Sequence, residues 1–176
     1  MPFALLGAGT NVLVRDGGIR GIVCRLGPAM GRIEVDHVSH RMSVQAGALL
    51  RQVSLRAAES GISGMEWAVG IPGNVGGAVF MNAGAHGGTM ADVVVSVTTL
   101  TCQCEFRTWQ ASELAFGYRE SALQGTGDIV LEATLQLEPG SREAIERRHQ
   151  EILESRRQAQ PLDLPSAGSV FKASFP

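Results

Sequence analysis

Between Gly70 and Gly87 the chain reads Gly-Ile-Pro-Gly-Asn-Val-Gly-Gly-Ala-Val-Phe-Met-Asn-Ala-Gly-Ala-His-Gly. These eighteen residues hold six glycines, one proline and two asparagines, and no Asp, Glu, Lys or Arg. A plain loop is more polar, and glycine at this density weakens helices and strands alike. What such a segment permits is close approach. A backbone without Cβ atoms can come up against a ligand and turn its N–H groups toward oxygens. Two glycine clusters separated by Ala78-Val-Phe-Met81 suggest main chain wrapped over a guest that is part anionic and part flat, such as a dinucleotide cofactor.

Three further stretches carry candidate chemistry. Gly7-Ala8-Gly9-Thr10-Asn11-Val12 invites a dinucleotide-fold reading, but Val12 stands where the third glycine of G-x-G-x-x-G belongs and extended residues follow. A strand–turn–strand whose amides, with Thr10 and Asn11, nest a diphosphate survives beside an ordinary glycine turn. In Phe116-Gly-Tyr-Arg-Glu-Ser121, Arg119 either pairs with Glu113 or Glu120 at the surface or polarises a developing oxyanion beside Tyr118. Gly168-Ser169, before Phe171 and Lys172, is either a turn into a strand or a hydroxyl placed to give a proton. It has no G-x-S-x-G context, which argues against a serine hydrolase. His37, His40, His86 and His149 are scattered, and Cys102-x-Cys104 stands alone, so no metal site is expected. If residues 102–104 are strand, both thiols face one side as packing groups.

The elements that must position these residues read as α+β. Ala4–Leu6 is a buried strand, Val12–Val14 resumes extended structure, and Gly21–Leu26 is another strand. Ile33–Asp36 and Met42–Gln45 alternate apolar and polar as a hairpin does. Leu49–Ser60 is an amphipathic helix ended by Gly61. Strands are expected over 93–100, 105–109 and 129–137, and a short helix over 110–115. Ser141 can N-cap a charged helix to about Arg157, whose interleaved Arg and Glu make a solvated face with i,i+4 pairs and no nucleic-acid site. The chain has 176 residues, 44% apolar residues and a net charge of −2, the profile of a globular protein. It lacks a signal-peptide pattern, a spanning apolar run and a disulfide framework, its three cysteines being an odd number. A cytoplasmic location is expected.

Four motifs in order, Leu6-Gly-Ala-Gly-Thr-Asn-Val-Leu-Val-Arg-Asp-Gly-Gly, Gly70-Ile-Pro-Gly-Asn-Val-Gly-Gly-Ala with Met81-Asn-Ala-Gly-Ala-His-Gly, Gly117-Tyr-Arg-Glu-Ser, and Gln160-Pro…Pro165-Ser-Ala-Gly-Ser-Val-Phe-Lys, span residues 6 to 172. Together they resemble the UDP-N-acetylenolpyruvoylglucosamine reductase family, in its branch with the shorter substrate domain. The resemblance implies an FAD-binding domain of the vanillyl-alcohol-oxidase (PCMH) type. It assigns 1–27 to a remnant of the first FAD-binding subdomain, 28–160 to the second, and 161–176 to the start of a substrate domain. It implies non-covalent FAD with NADPH as reductant. The substrate implied is the enolpyruvyl ether of UDP-N-acetylglucosamine, reduced to UDP-N-acetylmuramate for peptidoglycan. Gly7, Ala8, Gly9, Thr10 and Asn11 would hold the diphosphate. Ile71, Pro72, Gly73, Asn74, Val75, Gly76, Gly77, Asn82 and Gly84 would line diphosphate and flavin. Arg119 would stabilise the enolate and Ser169 protonate it, with Tyr118, Arg119 and Lys172 touching substrate.

The chain departs from the family pattern in four ways. It starts inside the first subdomain, it lacks the late glutamate of the substrate domain, and it reads Lys172-Ala-Ser where the family continues Lys-Asn-Pro; His86 replaces a common tyrosine. A piece of the enzyme that binds FAD weakly and turns over little is therefore expected, as a monomer with no nucleic-acid or membrane partner. Two alternatives are a non-catalytic flavin-binding module and a different oxidoreductase of the same fold.

Overall fold

The computed structural model describes residues 1–160, 164, 167, 168 and 170–172. Phe3–Leu6 (β1) and Ile22–Arg25 (β2) form a two-stranded parallel pair, Phe3 opposite Ile22 and Leu6 opposite Arg25. A parallel pair needs a crossover, and residues 7–21 provide it. That corrects the extended reading of Val12–Val14. Committed to the crossover, these residues have no strand to pair with, and Leu13 is 90% exposed. The β1 strand is likewise half-buried and not fully covered.

The expected hairpin forms as Ile33–Asp36 (β3) and Arg41–Gln45 (β4), with Met42 and Val44 fully buried from the alternating face. The Asp36 carboxylate accepts from the amides of Val38 and Ser39 and the Ser39 hydroxyl. These bonds close the turn and hold its pKa below the ordinary carboxylate value. Leu50–Glu59 (α1) follows, buries Leu50, Val53, Ser54, Ala57 and Ala58, and ends where Gly61 adopts φ +66°. Ile62–Ser63 (β5) later pairs with a short strand near the C-terminal helix.

Inside the glycine-rich segment lies a helix, Val75–Phe80 (α2), with Val75, Gly76, Ala78 and Val79 buried. A continuous wrapped backbone is thereby corrected to two loops flanking one short helix. Gly76 is there for packing, since a Cβ on it would sit 2.9 Å from the Ala46 Cβ. Gly84–Ala85 (β6) and Gly88–Thr89 (β7) make a tight hairpin. Val94–Leu100 (β8), Phe106–Gln110 (β9) and Ile129–Gln136 (β10) complete a five-stranded antiparallel sheet in the order β3-β4-β10-β8-β9. Its core face presents Val97, Val130, Ala133 and Leu135 to α1 and α2, with a bulge at Leu131 where the register shifts between Val130 and Glu132.

Cys102 and Cys104 lie in the turn joining β8 to β9 and are exposed, a correction to the strand reading. The Cys104 amide donates to Thr101 O at 2.9 Å and Cys104 takes φ +64°, the left-handed residue that closes such a turn. The helix expected over 110–115 contracts to one 3₁₀ turn, Ala111–Glu113, closed by a Gln110–Glu113 capping box. After Glu138–Pro139 (β11), Ser141 caps Arg142–Ala159 (α3), its Oγ accepting from the Ala144 amide at 3.3 Å. Helix α3 buries Ile145, His149 and Ile152, one face at i, i+4, i+7. The His149 Nε2 lies 2.9 Å from Ser54 Oγ of α1. Burial pushes this imidazole below its ordinary pKa, against the upward pull of Glu66 and Glu146. Its exposed positions carry the expected kind of pair at Arg142–Glu146, spaced i,i+4, and two pairs spaced i,i+3, Arg148–Glu151 and Arg157–Glu154. Among the described residues no helix is long and apolar enough to cross a membrane.

Candidate functional site

The two glycine-rich loops, about sixty residues apart in sequence, meet at Asn74. This side chain, 8% exposed, stands at the N-cap of α2 without capping it. Its Oδ1 instead accepts from the Ala8 amide at 2.6 Å, and its Nδ2 donates to Gly47 O at 2.6 Å. The approach leaves no room for side chains. A Cβ on Gly7 would lie 2.6 Å from Asn74 Oδ1, and one on Gly73 would lie 2.9 Å from Thr10 Oγ1. Gly73 also holds φ +117°, which L residues rarely adopt. Thr10 Oγ1 reaches toward Pro72 O at 3.4 Å, a long contact.

Not every amide of the segment is available to a ligand. Val75 N donates to Ala48 O and Gly76 N to Ala46 O, both at 2.9 Å. The amides of Gly9, Thr10, Asn11, Gly73 and Gly77 make no hydrogen bond to a described residue. Gly9, Thr10, Asn11 and Gly77 belong to exposed residues. A group of main-chain donors without protein acceptors, on glycines that admit close approach, fits a diphosphate. Ile71 is half-buried against the core and its amide is bonded to Ala68 O.

The other end of α2 carries the second cluster. Asn82, 6% exposed and at φ +41°, donates from Nδ2 to Gly117 O at 2.8 Å and accepts on Oδ1 from Ala91 N at 3.0 Å. Both ends of its side chain thus serve the protein itself. Gly117 and Glu120 exchange backbone hydrogen bonds of 3.0 and 3.2 Å, making a tight turn with Tyr118 and Arg119 at its tip. Arg119 takes φ +58°, and its guanidinium donates to Gly84 O at 2.9 Å and, more weakly, to Asn82 O at 3.4 Å. Its Cζ lies 5.1 Å from the Tyr118 ring centroid. Of the two readings open for Arg119, pairing with Glu113 or Glu120 is not what the structure contains. Glu113 bonds with Arg107, and Glu120 with Lys172 Nζ at 3.0 Å. A guanidinium has five N–H donors, and two carbonyls do not exhaust them. It is therefore a half-buried, oriented cation able to meet an oxyanion.

Ser121 closes the Gly117-Tyr-Arg-Glu-Ser motif without a role assigned to it, and Gln124 lies outside every motif. Ser121 Oγ donates to Phe80 O at 2.7 Å, and Gln124 Nε2 bridges Phe80 O at 3.0 Å and Arg119 O at 3.1 Å. They fasten the Arg119 turn to the C-terminal end of α2. Only the presence of Ser121 in that motif hints at this. The six residues of α2 thus fix the spacing between the two clusters, about 9 Å at 1.5 Å per residue. Lys172 reaches this end through Glu120. Ser169 lies outside the described residues.

The family described as an FAD binding domain matches residues 1–108. The chain is 47% identical over 172 residues to the UDP-N-acetylenolpyruvoylglucosamine reductase of Lactobacillus johnsonii, covering 98% of this chain and 57% of that protein. It is 45% identical to the enzyme of the same name from Clostridium beijerinckii, with 98% and 56% covered. Among solved structures it is similar to UDP-N-acetylenolpyruvylglucosamine reductase (MurB) from Thermus caldophilus, with a TM-score of 0.85 and 39% identity over 98% of this chain and 62% of that one. 6-Hydroxy-D-nicotine oxidase from Arthrobacter nicotinovorans shares the fold, with a TM-score of 0.59 at 18% identity over 78% of this chain and 31% of that one. The chain spans somewhat more than half the length of the curated relatives it matches. The expected α+β fold of the PCMH type is the fold observed.

Proposed function

The chain belongs to the FAD binding domain family, and from that premise we propose that it is the FAD-holding part of an NADPH-dependent reductase acting on the enolpyruvyl ether of UDP-N-acetylglucosamine. The observation that carries the reading is the meeting of both glycine loops at one end of α2 with an oriented Arg119 at the other. The Gly7–Asn11 loop holds the diphosphate through the amides of Gly9, Thr10 and Asn11 and the Thr10 hydroxyl, while the Ala8 amide fixes the loop to Asn74. Gly73 and Gly77 would add donors from the facing loop, and Asn82 and Gly84 would line the flavin. FAD, bound without a covalent link, supplies hydride transfer between NADPH and the enolpyruvyl group, which no side chain can do.

The protein's own part is binding and charge. Arg119 meets the carboxylate of the enolpyruvyl group as it gains enolate character, a preorganised donor worth about 3 kcal/mol. Tyr118 and Lys172 border the same space on the substrate side. Ser169 delivers the proton to C2 of the substrate. The subdomain division at residue 27 belongs to this proposal. It is supported by the separate β1–β2 sheet and by the small number of bonds it makes to the rest. We place the protein in the cytoplasm as a monomer.

The test separates the two half-reactions. The FAD-loaded protein is mixed first with NADPH and then with the enolpyruvyl UDP-sugar while the flavin band is followed. With FAD supplied in excess, bleaching on the first addition and a slow, measurable recovery on the second are expected. Arg119→Ala slows the recovery at least a hundredfold and leaves the bleaching rate within a factor of two or three. An Arg119→Ala protein that recovers as fast as the parent refutes the role given to Arg119. A protein that retains no flavin refutes the whole reading.

A further inference from the structure

We propose that Asn74 is a positioning residue: its side-chain amide is the latch that keeps the Gly7–Asn11 loop seated against α2, so that the two halves of the diphosphate site exist as one. The inference rests on the cofactor reading above for its purpose, but not for its geometry. Residues 1–26 make few bonds to the remainder of the chain. Among the described residues, the hydrogen bonds that leave this segment are Ala8 N to Asn74 Oδ1 at 2.6 Å and Thr10 Oγ1 to Pro72 O at 3.4 Å. No ion pair joins it to another described residue. Burial holds it lightly: Leu26 packs against the core, but Phe3, Leu13, Ile22 and Val23 are all exposed. The short, charge-free bond to Asn74 is the strongest polar attachment of the β1–β2 unit.

The chemistry of the site selects an amide. Asn74 must accept from Ala8 N at one end and donate to Gly47 O at the other, from within a nearly closed space. Serine or threonine cannot span both partners, and alanine leaves both unpaired. An aspartate has the right shape, but when ionised it sets a carboxylate oxygen against the Gly47 carbonyl. Protonated, it recovers both bonds, because a carboxylic acid has one donor and one acceptor where the amide has them. Burial and the facing carbonyl raise the pKa of such an aspartate above the usual 3.9 or so, against the downward pull of the Ala8 amide. The repaired form is therefore the one present at acid pH. Titratable neighbours do not confuse the reading, since the atoms facing the side chain are the main chain of Gly7, Ala8 and Gly47.

Hydrogen exchange of the 176-residue chain, read on peptides from residues 1–26 and from β10 and corrected for intrinsic rates, tests the latch. In Asn74→Ala, the 1–26 peptides exchange about tenfold to a hundredfold faster, the effect of stranding a buried donor and acceptor, while β10 is unchanged. Asn74→Asp exchanges faster than the parent at pH 8, where the carboxylate is repelled by Gly47 O, and returns toward the parent at pH 5. FAD affinity follows the same reversal. Equal protection of residues 1–26 in the parent and Asn74→Ala overturns the proposal, as does an Asn74→Asp protein indifferent to pH. Should Asn74→Ala lose β10 protection as well, the pH reversal in Asn74→Asp decides alone. If the latch behaves as expected but added FAD protects neither loop in the parent protein, the cofactor reading fails and the latch stands.

Discussion

Replacing Gly73 by alanine separates two physical reasons for a glycine at the centre of the site. The residue holds φ +117°, and a Cβ there would lie 2.9 Å from Thr10 Oγ1. If backbone strain is the reason, the cost is that of an L residue in a sparsely populated region, about 2 kcal/mol. If crowding is the reason, the cost is small and removable, because Thr10 is exposed and its hydroxyl makes only the 3.4 Å contact to Pro72 O. Gly73 cannot relax at little cost. Its carbonyl accepts from Leu50 N at 2.9 Å at the start of α1, and the next residue is the buried Asn74. Strain should therefore dominate. Urea denaturation followed by tryptophan fluorescence is expected to give a loss of about 2 kcal/mol for Gly73→Ala at unchanged m. Thr10→Ala should cost under about 0.5 kcal/mol, and the double variant about the sum. A Gly73→Ala protein within about 0.5 kcal/mol of the parent refutes the strain argument. So does a Thr10→Ala background that recovers most of the loss.

Three further outcomes follow from the same structure. His149 is held neutral by burial, so the unfolded chain takes up a proton that the folded one resists. Stability is then full above about pH 6.5 and falls as pH drops below it, and His149→Gln flattens that slope in urea melts between pH 5 and 7. Asn82→Ala strands Gly117 O and Ala91 N. It should cost about 2–3 kcal/mol in the same melts and slow the substrate-dependent recovery of the flavin band. His86 and Gly87, at φ +52° and +85°, turn β6 into β7 in the conformation that favours Asn-Gly. His86→Asn should raise stability by roughly 0.5 kcal/mol and Gly87→Ala lower it by about 1 kcal/mol, read from thermal melts.

What was legible in the chain was whatever repeats with a period or stops with a specific residue. Alternation placed β3 and β4, the apolar spacing and Gly61 placed α1, and Ser141 placed the start of α3. The glycine segment announced a binding site and concealed its own helix. Four residues of low helix propensity around Val75 read as loop, whereas the packing of Gly76 on Ala46 decides the conformation. Val12–Val14 is apolar, with two β-branched residues, yet lies in a crossover, because strand propensity needs a partner to act on. His149 was one of four scattered histidines until its spacing from Ile145 and Ile152 put it on the buried face of α3. Asn74 was read as a ligand contact by its place in a motif. Its actual bonds, to Ala8 and Gly47, depend on a meeting of three loops that no local pattern encodes.

Hydrogen exchange of the protein with and without FAD tests the central claim most directly. The account predicts new protection in the peptides covering residues 7–11 and 71–87, with the β8–β9 hairpin unchanged. Bound FAD that protects some other surface and leaves both glycine loops exchanging freely would contradict it.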